Sequence, residues 1–347
     1  MSRLGPGRWS LVVGGLSAAL ALGALIAALI GPTAPMLSPA SLLQDFQHLV
    51  SGETLSPAGV IFWQVRLPRV FLAGIVGAAL SVAGAGFQAL LRNPLADPFL
   101  LGVSGGGALG AIIAMLLGVS AAGFGIWGVP LFAFAGALGT VLLVFSLART
   151  EGRLPIHSLL LAGVVANAFF SAVIMFVLSL SSPERVQGVV FWMMGSVGSE
   201  RWSLVAGIGV YVALAGAVLF GLARDFNLLS LGEEPAGHLG VEVERTKLWA
   251  FVAASLAVGA VVSVSGIVGF VGLVVPHLVR LSLGPDHRLL LPAAFLSGAL
   301  FLILCDTLAR TLVAPAEMPV GVVTALFGGP FFIWLLRRRR AVAFGET

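Results

Sequence analysis

Apolar residues in this chain gather into long runs, separated by charges, proline clusters and glycine turns. Each run is close to the ~20 residues that a helix needs to cross a bilayer. Breaking the chain at those marks predicts spans near residues 9–30, 70–91, 99–117, 124–147, 157–180, 204–222, 248–264, 267–283, 289–308 and 320–336. Open sheet edges cannot sit in lipid, because their backbone groups would have no partners. The runs therefore predict helices, and the fold class is an all-α, polytopic membrane protein with about ten transmembrane helices.

One stretch is too long for a single crossing. Between Lys247 and Arg280 lie 32 residues without Asp, Glu, Lys or Arg. As one helix they would reach about 48 Å, against a hydrocarbon core of about 30 Å. The run must break, and Ser263-Val264-Ser265-Gly266 offers the hinge. Charge supports the division. With ten spans and an inside N-terminus, Arg66, Arg69, Arg185, Arg201 and Arg310 fall outside, and the other fourteen of 19 basic residues fall inside. Nine spans would put Arg337–Arg340 outside, against the positive-inside bias. Ten spans also put both termini on the cytoplasmic side.

Composition closes off other classes. Of 347 residues, 59% are hydrophobic and 10% charged, where a soluble domain carries about 25% charged residues. With a mean hydropathy of +1.06, little is left for a separate soluble domain, so residues 1–347 read as one transmembrane domain. A net charge of +4 might suggest nucleic acid, but Lys247 is the single lysine and the arginines sit mainly at run ends. That placement is an orientation signal, and no nucleic-acid partner is expected. The lone Cys305 excludes disulfides within the chain and CxxC metal sites. The first run follows Arg3 and Arg8 but exceeds the apolar core of a signal peptide and lacks a clear cleavage site, so it is expected to be retained.

Two segments lie outside the spans. Residues 31–69, with Pro32, Pro35, Pro39 and Pro57, read as an outside loop. Residues 224–246 form the longest inside loop and the only acid-rich one.

The glycine-rich stretches are not nucleotide sites. Gly84-Ala85-Gly86 lies inside an apolar helix with no strand before it, where small residues let membrane helices approach. A P-loop is impossible, since its lysine must follow glycine and Lys247 follows Thr246. The five histidines are scattered with no ligand pair at helical spacing, so no metal or cofactor is expected. Asp306 lies within the ninth span. It reads as an ion partner of Arg310 one turn on, ahead of the alternative of a proton-relay acid. Arg66, Arg69 and Arg310, cations at the outer mouth, fit either an acidic partner or lipid headgroups. Within the inside loop, Glu233 and Glu234 would favour a helix start through its dipole, and Gly240 could end it. A solvated connector is the alternative.

Longer stretches carry a resemblance. RLPRV (66–70), GAALSVAGAGFQALLRNPLADPFLLGVSGGGALGA (77–111), LGEEPAGHLGV (231–241), GFVGLVVPHLVRLSLGPDHRLLLP (269–292) and EMPVGVVTALFGGPFFIWLL (317–336) are similar to the FecCD family. These are permeases of type II ABC importers for siderophores, haem and cobalamin. The resemblance implies two copies around one path in the cell inner membrane, two cytoplasmic ATPase subunits and a periplasmic binding protein. That partner would dock on Arg66, Arg69 and Arg310. The ATPase would grip the loop at Gly232, Glu233, Glu234, Ala236, Leu239, Gly240 and Val241. Residues 186–194 would form a short helix at the outer mouth, with Val186, Val190, Trp192, Met193 and Met194 in the gating region. The expected function is import of an iron chelate, siderophore or haem, without covalent chemistry. The alternatives are cobalamin import and, from another class, an ion-coupled secondary transporter.

Overall fold

The computed structural model describes residues 5–31, 39–119, 123–150, 152–198 and 201–343. Its helices are α1 (Pro6–Leu29), α2 (Pro39–Ser51), α3 (Pro57–Gly59), α4 (Leu67–Leu90), α5 (Val103–Leu116), α6 (Gly128–Ala148), α7 (Ile156–Ser179) and α8 (Pro183–Met193). There follow α9 (Trp202–Gly221), α10 (Ala223–Leu229), α11 (Glu233–His238), α12 (Val243–Ser265), α13 (Val271–Leu283), α14 (His287–Thr311) and α15 (Val320–Ala343). Among the described residues the only β-type pairing is an isolated bridge between Thr150 and Arg153.

Among the described residues, seven helical stretches are long and apolar enough to cross a membrane: Gly7–Leu29, Pro57–Leu90, Gly125–Ala148, Ile156–Ser179, Trp202–Gly221, Val243–Ser265 and His287–Thr311. Val103–Leu116, Val271–Leu283 and Val320–Ile333 are shorter apolar helices. Each predicted span overlaps one of these ten stretches. The long uncharged run breaks where the hinge was expected. Helix α12 ends at Ser265, Gly266 takes φ 65°, and α13 begins after Phe270 at φ 68°.

The outside loop differs from expectation. Its prolines read as breakers, yet Pro57 occupies the first turn of a helix, where its missing N–H has no bond to lose. Ser56 caps that start, its hydroxyl accepting from the Gly59 N–H at 2.9 Å and donating to Asp45 at 2.8 Å. Helix then continues through a wide turn over Val60–Arg66 into α4. There the Leu67 N–H reaches back to Phe62 O, and Pro68, lacking an N–H, can donate no bond of its own. Pro32 and Pro35 lie outside the described residues.

Helices α4, α12 and α14 form the centre, with 83%, 72% and 61% of their apolar windows buried, against 17% for α1 and 22% for α7. Without a hydrophobic drive between helices in lipid, close backbone contact must hold them, and small residues permit it. A side chain on Gly77 of α4 would overlap the carbonyl of Gly298 on α14, and one on Gly84 would overlap that of Gly272 on α13. Gly84→Val should therefore break the α4–α13 crossing, destabilising by about 3 kcal/mol or more because the obstruction is backbone. Gly139→Val in α6, with open space around it, should be tolerated. Equal monodispersity and equal melting of the two variants in detergent would show that the crossing is loose.

Candidate functional site

At the end of the bundle expected to face outward, three helices bring the expected arginines together. Arg66 donates to the carbonyls of Ala28 at 3.4 Å and Leu29 at 3.0 Å. Arg310 donates to Ile30 O at 3.0 Å and to Ala27 O. Both guanidiniums thus face the carbonyl end of α1, the negative pole of its dipole. Arg69 grips Asp306 with Nε and Nη2 at 3.1 and 3.0 Å, and its Nη1 reaches Glu317 at 2.8 Å. Asp306 lies 3.3 Å from Arg310 Nε, as the spacing predicts, but its bidentate partner is Arg69, 237 residues away in sequence.

Arg66, Asp306 and Arg310 are all buried, and the Arg69 side chain is 12% exposed. The charge pattern predicts the gathering of these cations. It does not predict that two of them turn inward onto backbone. Glu317, at 46% exposure, completes the rim and was not singled out from the sequence; its EMP context before the last span was the available signal.

Helix α8 forms where residues 186–194 were expected to be helical. Its residues divide between two faces. Val189 is buried with Ala108, Ile112 and Ile174, and Trp192 and Met193 pack beside them. Val190, Phe191 and Met194 are exposed, and Val186 is half-buried. The turn after α8 is stitched to two other helix ends. Ser196 N donates to Ser265 O at 2.8 Å, and Gly321 N donates to Gly195 O at 3.3 Å.

At the opposite end, expected to face inward, residues 224–246 resolve into α10, α11 and the start of α12, the helical alternative. Gly232 enters α11 at φ 121°, and Gly240 leaves it at φ 87°, a left-handed end that suits glycine. The Val241 N–H closes back on Ala236 O at 3.0 Å. Of the seven residues expected to meet an ATPase, Ala236 and Val241 are buried in the chain itself, whereas Leu239 is 57% exposed; Leu231, just before them, is 63% exposed. Glu233 is half-buried and lies 3.1 Å from Lys247 Nζ.

The platform is anchored to two spans. Thr246 of α12 donates to Asp225 of α10 at 3.2 Å, and Asn227 donates to Asp286, the N-cap of α14, at 2.8 Å. Hydrogen bonds from Arg288 and then Asn227 hold the Asp286 carboxyl down to about 2.

Between these ends, α7 lines an open cleft of about 560 Å³ with Asn167, Ser171 and Val164. Asp97, Phe99, Leu100 and the Gly269–Phe270 turn form the opposite wall. Asn167 and Ser171, one helical turn apart, put a polar strip on an apolar helix. Among the described residues no group of three His, Cys, Asp or Glu could hold a metal ion.

A bundle of membrane-length helices with an open cleft is the architecture of a multi-span membrane protein. The chain belongs to the FecCD transport family, whose profile matches residues 19–338, as a permease of the ABC importer type. It is 43% identical over 324 residues to the hemin transport system permease protein HmuU of Yersinia pestis, covering 92% of this chain and 96% of that protein. It is 44% identical over 286 residues to the cobalamin import system permease protein BtuC of Halobacterium salinarum, covering 82% and 76%. Among solved structures, an inward-facing metal-chelate type ABC transporter superposes with a TM-score of 0.81 at 33% identity, over 94% of this chain and 99% of that one.

Proposed function

We propose that this chain forms one half of the translocation path of an importer for iron chelates, siderophore or haem, in the bacterial inner membrane. Ten crossings place both termini in the cytoplasm, and two copies enclose the path. Two ATPase subunits engage residues 231–241 from inside. A periplasmic binding protein docks on the outer rim organised by Arg66, Arg69 and Arg310, and α8 with Val186, Val190, Trp192, Met193 and Met194 borders the outer mouth. The observation that carries the reading is the exposed Leu239 at the end of a six-residue helix in a chain without a P-loop. Such a feature serves a partner that pushes. The longer match to the hemin permease supports an iron chelate, and the cobalamin relative makes cobalamin the second reading.

The test is reconstitution in liposomes with a co-expressed ATPase and binding protein, offering haem, a ferric siderophore and cobalamin in turn. ATP-dependent uptake of an iron chelate is expected. Uptake of cobalamin alone would select the second reading. Uptake driven by an ion gradient without ATPase would overturn the importer and return Asp306 to a coupling role.

A further inference from the structure

Helix α11 is six residues long, too short to transmit force through its own packing, so its polar attachments decide what it moves. Those attachments converge on Lys247, the chain's only lysine, near the start of α12. Its side chain is 4% exposed, and its ammonium lies 3.1 Å from Glu233 Oε2, 2.6 Å from Glu244 Oε1 and 3.0 Å from the Leu154 carbonyl. An ammonium has three donors, and here all three have acceptors. Glu244 uses its other oxygen to accept the Leu154 N–H at 2.7 Å. The peptide groups of Leu154, in the turn between α6 and α7, are thus clamped on both sides. Glu233 meanwhile lies 3.7 Å from Arg92, in the turn after α4.

Both turns lead to the cleft. The turn at Leu154 enters α7, which carries Asn167 and Ser171, and the turn at Arg92 runs on to Asp97 on the opposite wall. We propose that Lys247 is a positioning residue that carries the motion of α11 to both walls of the cleft, with Glu233 as the joint and Arg92 as the second arm. This rests on the importer reading above. A cluster that only stabilised the fold would not need to join α11 to two turns whose following segments both line the same cleft. The buried Lys247 ammonium, with little water around it, holds its acceptors more stiffly than an exposed charge would, and the half-exposed Arg92–Glu233 contact is the looser arm.

The test uses the full permease in liposomes with its ATPase and loaded binding protein, reading cargo imported per ATP hydrolysed. Lys247→Met keeps most of the length of the unbranched side chain and removes its charge. It should still assemble with the ATPase and support hydrolysis, while import per ATP falls roughly tenfold. Arg92→Gln changes a half-exposed side chain that threatens no packing, and should lower the ratio about threefold. Lys247→Arg should recover part of the loss. Spin labels at Gly237→Cys and Arg153→Cys, both exposed positions, should hold one separation through the ATP cycle and spread apart in the Lys247→Met background. Ratios within about twofold of wild type in both variants would overturn the proposal. If Lys247→Met fails to assemble, the Arg92→Gln ratio decides alone. A wild-type protein that does not couple to ATP at all would instead defeat the importer reading.

Discussion

Leu239→Asp should insert, fold and bind the periplasmic partner normally, yet lose its ATPase subunits and with them uptake. Leu239 stands 57% exposed beyond the end of α11, so nothing inside the chain depends on it. Burying a leucine in a partner's groove is worth about 1.5–3 kcal/mol, and an aspartate there would add an unpaired charge. The ATPase should bind at least about 100-fold more weakly, a change of roughly 2.7 kcal/mol. Ala236→Asp is the contrasting variant. Ala236 is completely buried, so a carboxylate there should disrupt the platform and lower the yield of folded protein. Pull-down of ATPase with each purified variant separates the two effects. Undiminished ATP-driven uptake by the Leu239→Asp protein would reduce the segment to a connector.

Asp306→Ala should be the most destabilising change at the outer end. It leaves Arg69 without its bidentate partner and Arg310 without its ion contact, in a place where Arg310 is 2% exposed. Breaking a buried pair from one side costs about 3–5 kcal/mol, because the remaining charge keeps its desolvation without compensation. Removing the acid and its main partner together, in Asp306→Leu with Arg69→Met, should restore much of the loss. Thermal unfolding in detergent of the wild type, both single variants and the pair measures this. A single variant that melts with the wild type would mean that water or lipid headgroups already neutralise the site.

The spans were legible because lipid leaves the sequence no freedom. A crossing must be an apolar run of the right length, and a run too long by half, such as the one after Lys247, must turn at its glycine. The inner helix was legible through Gly232, Glu233 and Gly240, residues with local backbone or dipole reasons to be there. What could not be read depends on which helices become neighbours. Asp306 has an arginine four residues on and one 237 residues back, and only packing of α4 against α14 shows that the distant one binds better. Lys247 binds a backbone carbonyl at Leu154, and a carbonyl leaves no mark in a sequence. Ala236 and Leu239 look equally apolar, yet one faces the chain and the other solvent. Proline misled in the outer segment, since Pro57 marks a helix start as readily as a loop.

The clasp on α1 also sets an order of events during synthesis. Helix α1 emerges before the other described helices, and its last carbonyls await Arg310, 280 residues later. At ~5–20 residues per second, that arginine is made about 14–56 s afterwards. Until then α1, the least buried of the long helices, rests in the bilayer with its outer end held by Arg66 alone or by water. The outer rim is therefore a late joint of the molecule. A ribosome that stalls before α14 leaves a chain in which α1 and α14 have never met, and its exposed polar helix end is a feature that membrane quality control could detect.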